Sequence, residues 1–244
     1  MKLLLTSSGI SNASIQQALV ELLGKPIDAC KALFVPTGMY PFPNGAEFVW
    51  RAMMGMIGSR MCQLGWERLG LLELTALPSV DKQAWRVSVE EADAILVWGG
   101  DPVYLSYWMR ESGLAEFLRS MERPPVYVGV SAGAMAATGI FAETYRDRPN
   151  TRHDAIASEE IVFQSQEGEV PRTLVTARGA GFVDFAVIAH YDNPNHPDAS
   201  VENAEVWAAK IPAPVYAIDE QTAIRVEDGR VDVISEGEWK LFQA

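Results

Sequence analysis

Several things are scarce in this 244-residue chain, and each scarcity removes a class of function. Basic residues number 20 against 32 acidic ones, a net charge of -12. A surface of that sign repels phosphate backbones and anionic lipid, so nucleic-acid and membrane partners are not expected; its ordinary consequence is solubility. No stretch approaches 18 consecutive apolar residues, and the N-terminal Lys2 is followed only by Leu3–Leu5 before the chain turns polar. That is too short for the apolar region of a signal peptide. The two cysteines, Cys30 and Cys62, lie in or beside apolar runs, and buried free thiols of a reducing compartment are expected rather than a disulfide. A cytoplasmic protein follows from these two readings. Three dispersed histidines and two separated cysteines form no metal-ligand spacing, so neither a metal nor a cofactor is expected.

What is present is a core. Hydrophobic residues make up 48% of the chain, enough for one domain over 1–244. Short apolar runs recur at Leu3–Thr6, Ala32–Pro36, Ala94–Trp98, Pro125–Val130, Ala186–Ala189 and Val215–Ile218. Helix-length segments separate most of them: about Ala13–Leu23, Phe48–Leu64, Tyr104–Met121 and Val201–Lys210. Strands alternating with helices predict an α/β fold in three layers, a mainly parallel sheet covered by helices on both faces. Thr222–Ile234 reads as a C-terminal hairpin turning at Asp228-Gly229. The segment 142–180 is polar and poor in apolar runs, and a long loop excursion is expected there.

The chemistry gathers at two turns. Gly129-Val130-Ser131-Ala132-Gly133 fits G-x-S-x-G after an apolar strand and before a helix-compatible run. Small residues on either side let the backbone fold sharply, so the Ser131 hydroxyl projects clear of the sheet as a nucleophile. The following helix start aims its N–H groups at a developing oxyanion. Gly99-Gly100-Asp101 also follows an apolar strand. Its glycines let backbone N–H groups approach a ligand closely, although Asp101 in an ordinary turn would serve simply as a helix N-cap.

Serine needs a base. His190 ends a strand-like run, the place where open α/β sheets build their sites, whereas His153 and His196 fall in polar loops and read as solvated. An acid must orient that imidazole. Glu143 and Asp147 follow the elbow helix; Asp184 and Asp192 flank His190 and are weaker candidates, since strand neighbours point elsewhere.

These residues resemble the dipeptidase E family of serine peptidases (aspartyl dipeptidases), which has the class I glutamine-amidotransferase-like fold. The resemblance rests on Gly99-Gly100-Asp101, on Ser131-Ala132-Gly133-Ala134-Met135, on Gly181–Phe185 leading to His190-Tyr191-Asp192, and on Tyr216–Ile224 with Trp239–Phe242. It implies a Ser-His-acid triad with Ser131 as nucleophile, His190 as base and Glu143 preferred over Asp147 as acid. It also implies oxyanion N–H groups from Gly100 and Ala132, and a small-peptide substrate cleaved after an N-terminal residue, aspartate above all. Asp101 stands where the best-known members carry asparagine, which puts one substrate contact in doubt. The stretch from Glu143 to His190 is long, and the excess around 146–178 is expected to form a flap. An aspartyl side chain would need a cation, and Arg146, Arg148, Arg152, Arg172 and Arg178 all fall in this stretch. Two further readings stand beside this one: a catalytically silent relative that binds a peptide or metabolite, and an esterase or other amide hydrolase. Glutamine amide transfer, which shares the fold, uses a cysteine at the elbow, and neither cysteine here lies in such a turn.

Overall fold

In a computed structural model, residues 1–57, 60–147, 154–165 and 168–243 are described. The elements run β1 (Leu3–Thr6), α1 (Ala13–Leu23), β2 (Lys31–Val35), α2 (Gly45–Met53), β3 (Arg68–Leu71), α3 (Lys82–Glu90), β4 (Ala94–Val97), α4 (Pro102–Glu111), α5 (Leu114–Ser120), β5 (Val126–Val130) and α6 (Ala132–Ala136). They continue with β6 (Ile140–Tyr145), β7 (Ala155–Ser165), β8 (Gly168–Arg178), β9 (Ala186–Ala189), α7 (Val201–Ala208), β10 (Val215–Ile218), β11 (Thr222–Glu227), β12 (Arg230–Ser235) and β13 (Trp239–Phe242).

The central sheet has seven strands in the order β12-β11-β1-β5-β4-β2-β3. From β1 to β3 every pairing is parallel, while β11 and β12 add an antiparallel edge. Strands β1, β4 and β5 are buried at every position, as continuous apolar runs covered on both faces must be. Two apolar clusters lie on opposite faces of this sheet, one around Leu5, Ile95 and Tyr127 and the other around Leu4, Leu96 and Val128, since successive strand residues alternate sides. The α/β, mainly parallel architecture is therefore as expected. The hairpin β11–β12 turns at Asp228 and Gly229, whose φ values of 52° and 81° suit a two-residue primed turn.

Three local expectations fail for physical reasons. The run Phe48–Leu64 is not one helix: α2 ends at Met53, and Gly55 follows with φ 70°. Tyr104–Met121 is likewise broken, because Gly113 takes φ 79° between α4 and α5. The segment 142–180 is not a loop. It supplies β6, β8 and β7 in an antiparallel sheet with β8 in the middle. Buried Ile161 and Phe163 alternate with exposed neighbours along β7, whereas Leu174, Val175 and Ala177 are buried near the end of β8 and its start is exposed. Sparse apolar residues are what a half-solvated antiparallel sheet requires. A third sheet, β13-β10-β9, pairs β9 with β10 in parallel.

Among the described residues no helix is long and apolar enough to cross a membrane. Cys30 is buried, Cys62 is half-buried, and both thiols are free.

Candidate active site

The site begins with backbone geometry at the end of β5. Ser131 has φ 51° and ψ -114°, a conformation costing a non-glycine residue about 1–3 kcal/mol. It persists because its surroundings hold it. The Ser131 N–H donates to the Thr6 carbonyl at 2.8 Å, and its own carbonyl accepts from Ala134 and Met135. The buried Tyr127 hydroxyl donates to the Gly133 carbonyl at 2.7 Å, tying the first turn of α6 back to the strand. Gly133 has no alternative, since a Cβ there would lie 2.2 Å from the Val97 carbonyl oxygen. Ala132, at the head of α6, belongs to the first turn, whose N–H groups lack intrahelical acceptors.

The second turn packs beside the first. A Cβ on Gly99 would meet the Ser131 Cβ at 3.3 Å, so the absence of a side chain lets the two turns touch. Gly100 has φ 123°, and a Cβ there would fall 2.1 Å from the Gly38 carbonyl oxygen. Asp101 is 2% exposed. One carboxylate oxygen caps α4 by accepting from the Tyr104 N–H at 2.7 Å, and the other accepts from the Tyr145 hydroxyl at 3.0 Å. Both oxygens thus already serve the protein, as the N-cap reading of this turn anticipates.

His190 follows β9 with φ 62°. Its N–H donates to the Ser7 hydroxyl oxygen at 3.0 Å, and that hydroxyl donates to the Ile218 carbonyl at 2.7 Å. Its Nε2 lies 2.9 Å from Ser131 Oγ, and its Nδ1 lies 2.7 Å from Glu220 Oε1. Glu220 follows β10, the parallel neighbour of β9. Burial opposes its ionisation, but hydrogen bonds from His190 and from the Asn193 side-chain amide outweigh that and hold its carboxyl below the ordinary value. An ionised Glu220 accepts the Nδ1 proton, which leaves Nε2 to accept from the Ser131 hydroxyl.

The carboxylate against His190 is therefore Glu220 and not Glu143. Glu143 lines the same cavity from β6, and its Oε1 accepts from the Thr144 N–H at 2.8 Å. Burial raises its pKa to about 8, and the Asp101 and Asp198 carboxylates push the same way. A strand that crosses the cavity wall, rather than a loop folding back from the elbow, puts Glu143 there. Asp147 is also displaced from the acid position: it sits exposed at the cavity mouth, 3.8 Å from Arg146. Asp184 and Asp192 are exposed. His196 is exposed, as expected of its polar loop, and its ring stacks on that of His190. His153, Arg148 and Arg152 lie outside the described residues.

The cavity measures about 680 Å³, within the range that takes a small molecule. Ser131, His190, Gly100 and Asp101 open on it together with Glu143, Arg172 and Asp198. Arg172 Nε donates to Asp198 at 2.7 Å, and the Thr144 hydroxyl donates to the same oxygen at 3.0 Å. Arg178 is exposed, and its carbonyl accepts from Arg110.

Sequence reasoning missed three participants. Glu220 stands inside one of the blocks that carry the family resemblance, yet no role attached to it. The available signal was its position just after an apolar strand, like that of His190. Asn193 and His196 follow His190 by only three and six residues, and nothing in the polar run marks them.

A serine held on a strained strand-to-helix turn, an imidazole on its hydroxyl and a carboxylate on that imidazole make up the constellation used by serine-type hydrolases. The chain belongs to Peptidase family S51, whose family model matches residues 3–234, and it is a serine-type peptidase. No curated protein matches it. Among solved structures, a protein of Listeria monocytogenes EGD-e described as a candidate peptidase E is 17% identical, with a TM-score of 0.62 over 97% of this chain and 98% of that one. A peptidase from an acI-B1 actinobacterium is 19% identical, with a TM-score of 0.59 over 100% of this chain and 94% of that one. At such identities the likeness speaks for the fold.

Proposed function

We propose that this peptidase hydrolyses small peptides after their N-terminal residue, with Ser131 as nucleophile, His190 as general base and acid, and Glu220 as the carboxylate that orients the imidazole. The observation that carries the reading is the unbroken hydrogen-bonded chain from Ser131 Oγ through His190 to Glu220 at the wall of a small-molecule-sized cavity. Ser131 Oγ bonds to the scissile carbonyl carbon while its proton passes to His190 Nε2. The same proton then goes to the departing amine as the carbon–nitrogen bond breaks, leaving an acyl-enzyme. Water, deprotonated by His190, attacks the acyl carbon and releases the acid and the Ser131 hydroxyl. The Gly100 and Ala132 N–H groups, at the two turns that touch behind Ser131, receive the oxyanion.

Aspartate is the first residue that the dipeptidase E resemblance favours. Arg172 and Arg146 both line the cavity, and Arg172, the less exposed of the two, would receive its side chain, in competition with Asp198. The strands β7 and β8 take the part of the flap in this reading, since Arg172 belongs to β8. A cytoplasmic location accompanies the proposal and is supported by the two free thiols.

The test is to incubate the protein with Asp-X, other dipeptides and a p-nitrophenyl ester, alongside Ser131→Ala. Release of the N-terminal amino acid that disappears in Ser131→Ala is expected. Ester turnover without peptide cleavage would assign an esterase instead, and no turnover at all would assign a silent binder.

A further inference from the structure

The imidazole rings of His190 and His196 are stacked, with centroids 3.9 Å apart and planes 10° from parallel. His190 already has both nitrogens engaged, Nδ1 with Glu220 and Nε2 with Ser131. Those two bonds define a line through the ring, about which it can still rock. A flat partner against one face removes that freedom. The backbone brings the partner there: the Asn193 N–H donates to the His190 carbonyl, and the His196 N–H donates in turn to the Asn193 carbonyl. Two successive turns therefore return the chain over the imidazole that began them. The geometry points to His196 as a positioning residue, which holds the His190 ring in the plane that reaches Ser131 and Glu220 and lays a neutral π-face against the imidazolium formed during each proton transfer.

The charge state of His196 fits this role. His196 is exposed, yet the water it loses against its packed neighbours, followed by the neighbouring His190, lowers its affinity for a proton, against the opposing pull of Glu220 and Asp198. Glu143 and Arg172 face the same cavity from β6 and β8, and Arg172 is occupied by Asp198. A neutral imidazole stabilises a cation stacked on it, as aromatic faces do. A protonated one would repel it. The Oγ of Ser131 and the oxygens of Glu220 cannot supply this face-on contact, because both bond at the ring edge.

This inference rests on His190 acting as the base, and the experiment separates the two. In the full-length protein, His196→Ala is expected to lower kcat about tenfold with KM within about twofold, and His196→Phe, which keeps a flat ring, to recover most of that loss, in line with the few-fold to tenfold value of an aromatic pair. His196→Lys, a fixed cation, should depress kcat and move the acid limb of kcat/KM to lower pH, because a positive neighbour disfavours His190 protonation. A loss of folding alone would not move that limb. Imidazole NMR titration of the same variants in a Ser131→Ala background reads the His190 midpoint without any turnover. There the Lys variant should again lower the His190 midpoint relative to the chain that keeps His196. Equal kcat for Ala and wild type, a Phe variant as poor as Ala, or a His190 midpoint indifferent to Lys would each overturn the proposal. A wild-type protein that cleaves no peptide would overturn the proposed function instead, leaving the titration to decide the role of His196.

Discussion

Replacing Glu220 by Gln keeps the size of the side chain and removes its charge. In the wild-type site, Glu220 Oε1 lies 2.7 Å from His190 Nδ1, with side-chain exposures of only 29% and 17%. When the imidazole takes the Ser131 proton, its centre of charge lies about 4 Å from that carboxylate, worth about 4 kcal/mol at an effective dielectric of 20. That is a factor of about 10³ in rate. A second loss adds to it. A Gln amide that turns its NH2 toward Nδ1 favours the tautomer carrying its proton on Nε2, which cannot accept from Ser131, and a triad variant of this kind loses about 10⁴. We therefore expect kcat for a cleaved dipeptide to fall about 10³- to 10⁴-fold in Glu220→Gln, with KM changed far less. Steady-state kinetics on the two variants Glu220→Gln and Glu143→Gln is the assay, with Ser131→Ala as the floor. The reasoning fails if Glu220→Gln retains a tenth or more of wild-type kcat, or if Glu143→Gln is the variant that sinks to the floor.

Other outcomes follow from the same geometry. Glu143, with its pKa raised to about 8 in the folded chain, binds a proton more tightly folded than unfolded, so its contribution to stability is full below its unfolded pKa and is lost as pH rises toward 8. Glu143→Gln should therefore gain Tm relative to wild type between pH 5 and pH 8.5, and a pH-independent difference between the two melting curves would refute this. Gly133→Ala forces a Cβ to within 2.2 Å of the Val97 carbonyl oxygen; a loss of about 3 kcal/mol or more is expected, readable by urea unfolding, and a variant within 1 kcal/mol of wild type would show that the elbow yields. Ser7→Ala leaves the His190 N–H without its acceptor, at a cost of about 1–3 kcal/mol, and should lower kcat as well as Tm; unchanged kcat would mean that His190 needs no backbone anchor.

The central sheet was legible because its inner strands are buried on both faces: runs such as Leu3–Leu5 and Val126–Val130 have nowhere else to go. The elbow was legible for a related reason, since Gly129, Ser131 and Gly133 answer to steric demands that a five-residue pattern records. His190 could be placed because it ends an apolar strand. Glu220 was hidden by tertiary structure. Its meeting with His190 depends on β9 and β10 lying side by side, and nothing local says which strand neighbours which. Glu143, which comes soon after the elbow along the chain, does reach the cavity, from β6, but not His190. The β6-β8-β7 sheet was missed for a different reason. Long exposed stretches of β7 and β8 lower its apolar content, and the period-2 signal is too thin among charged neighbours to separate it from a loop.

The nucleophile and its partners belong to separate hydrogen-bonded sheets, Ser131 at the end of β5 in the seven-stranded sheet and His190 and Glu220 at the ends of β9 and β10 in a three-stranded one. At this junction the Ser7 hydroxyl bridges them, taking the His190 N–H from one strand end and giving its proton to the Ile218 carbonyl of the next. The 2.9 Å between Ser131 and His190 is thus a vernier on the sliding of one sheet against the other. A slip too small to expose any core residue would still open that gap beyond hydrogen-bonding reach. Peptidase activity should accordingly fade on warming or under pressure before circular dichroism records any loss of structure, and return at once on relief, making the enzyme a strain gauge for its own interior.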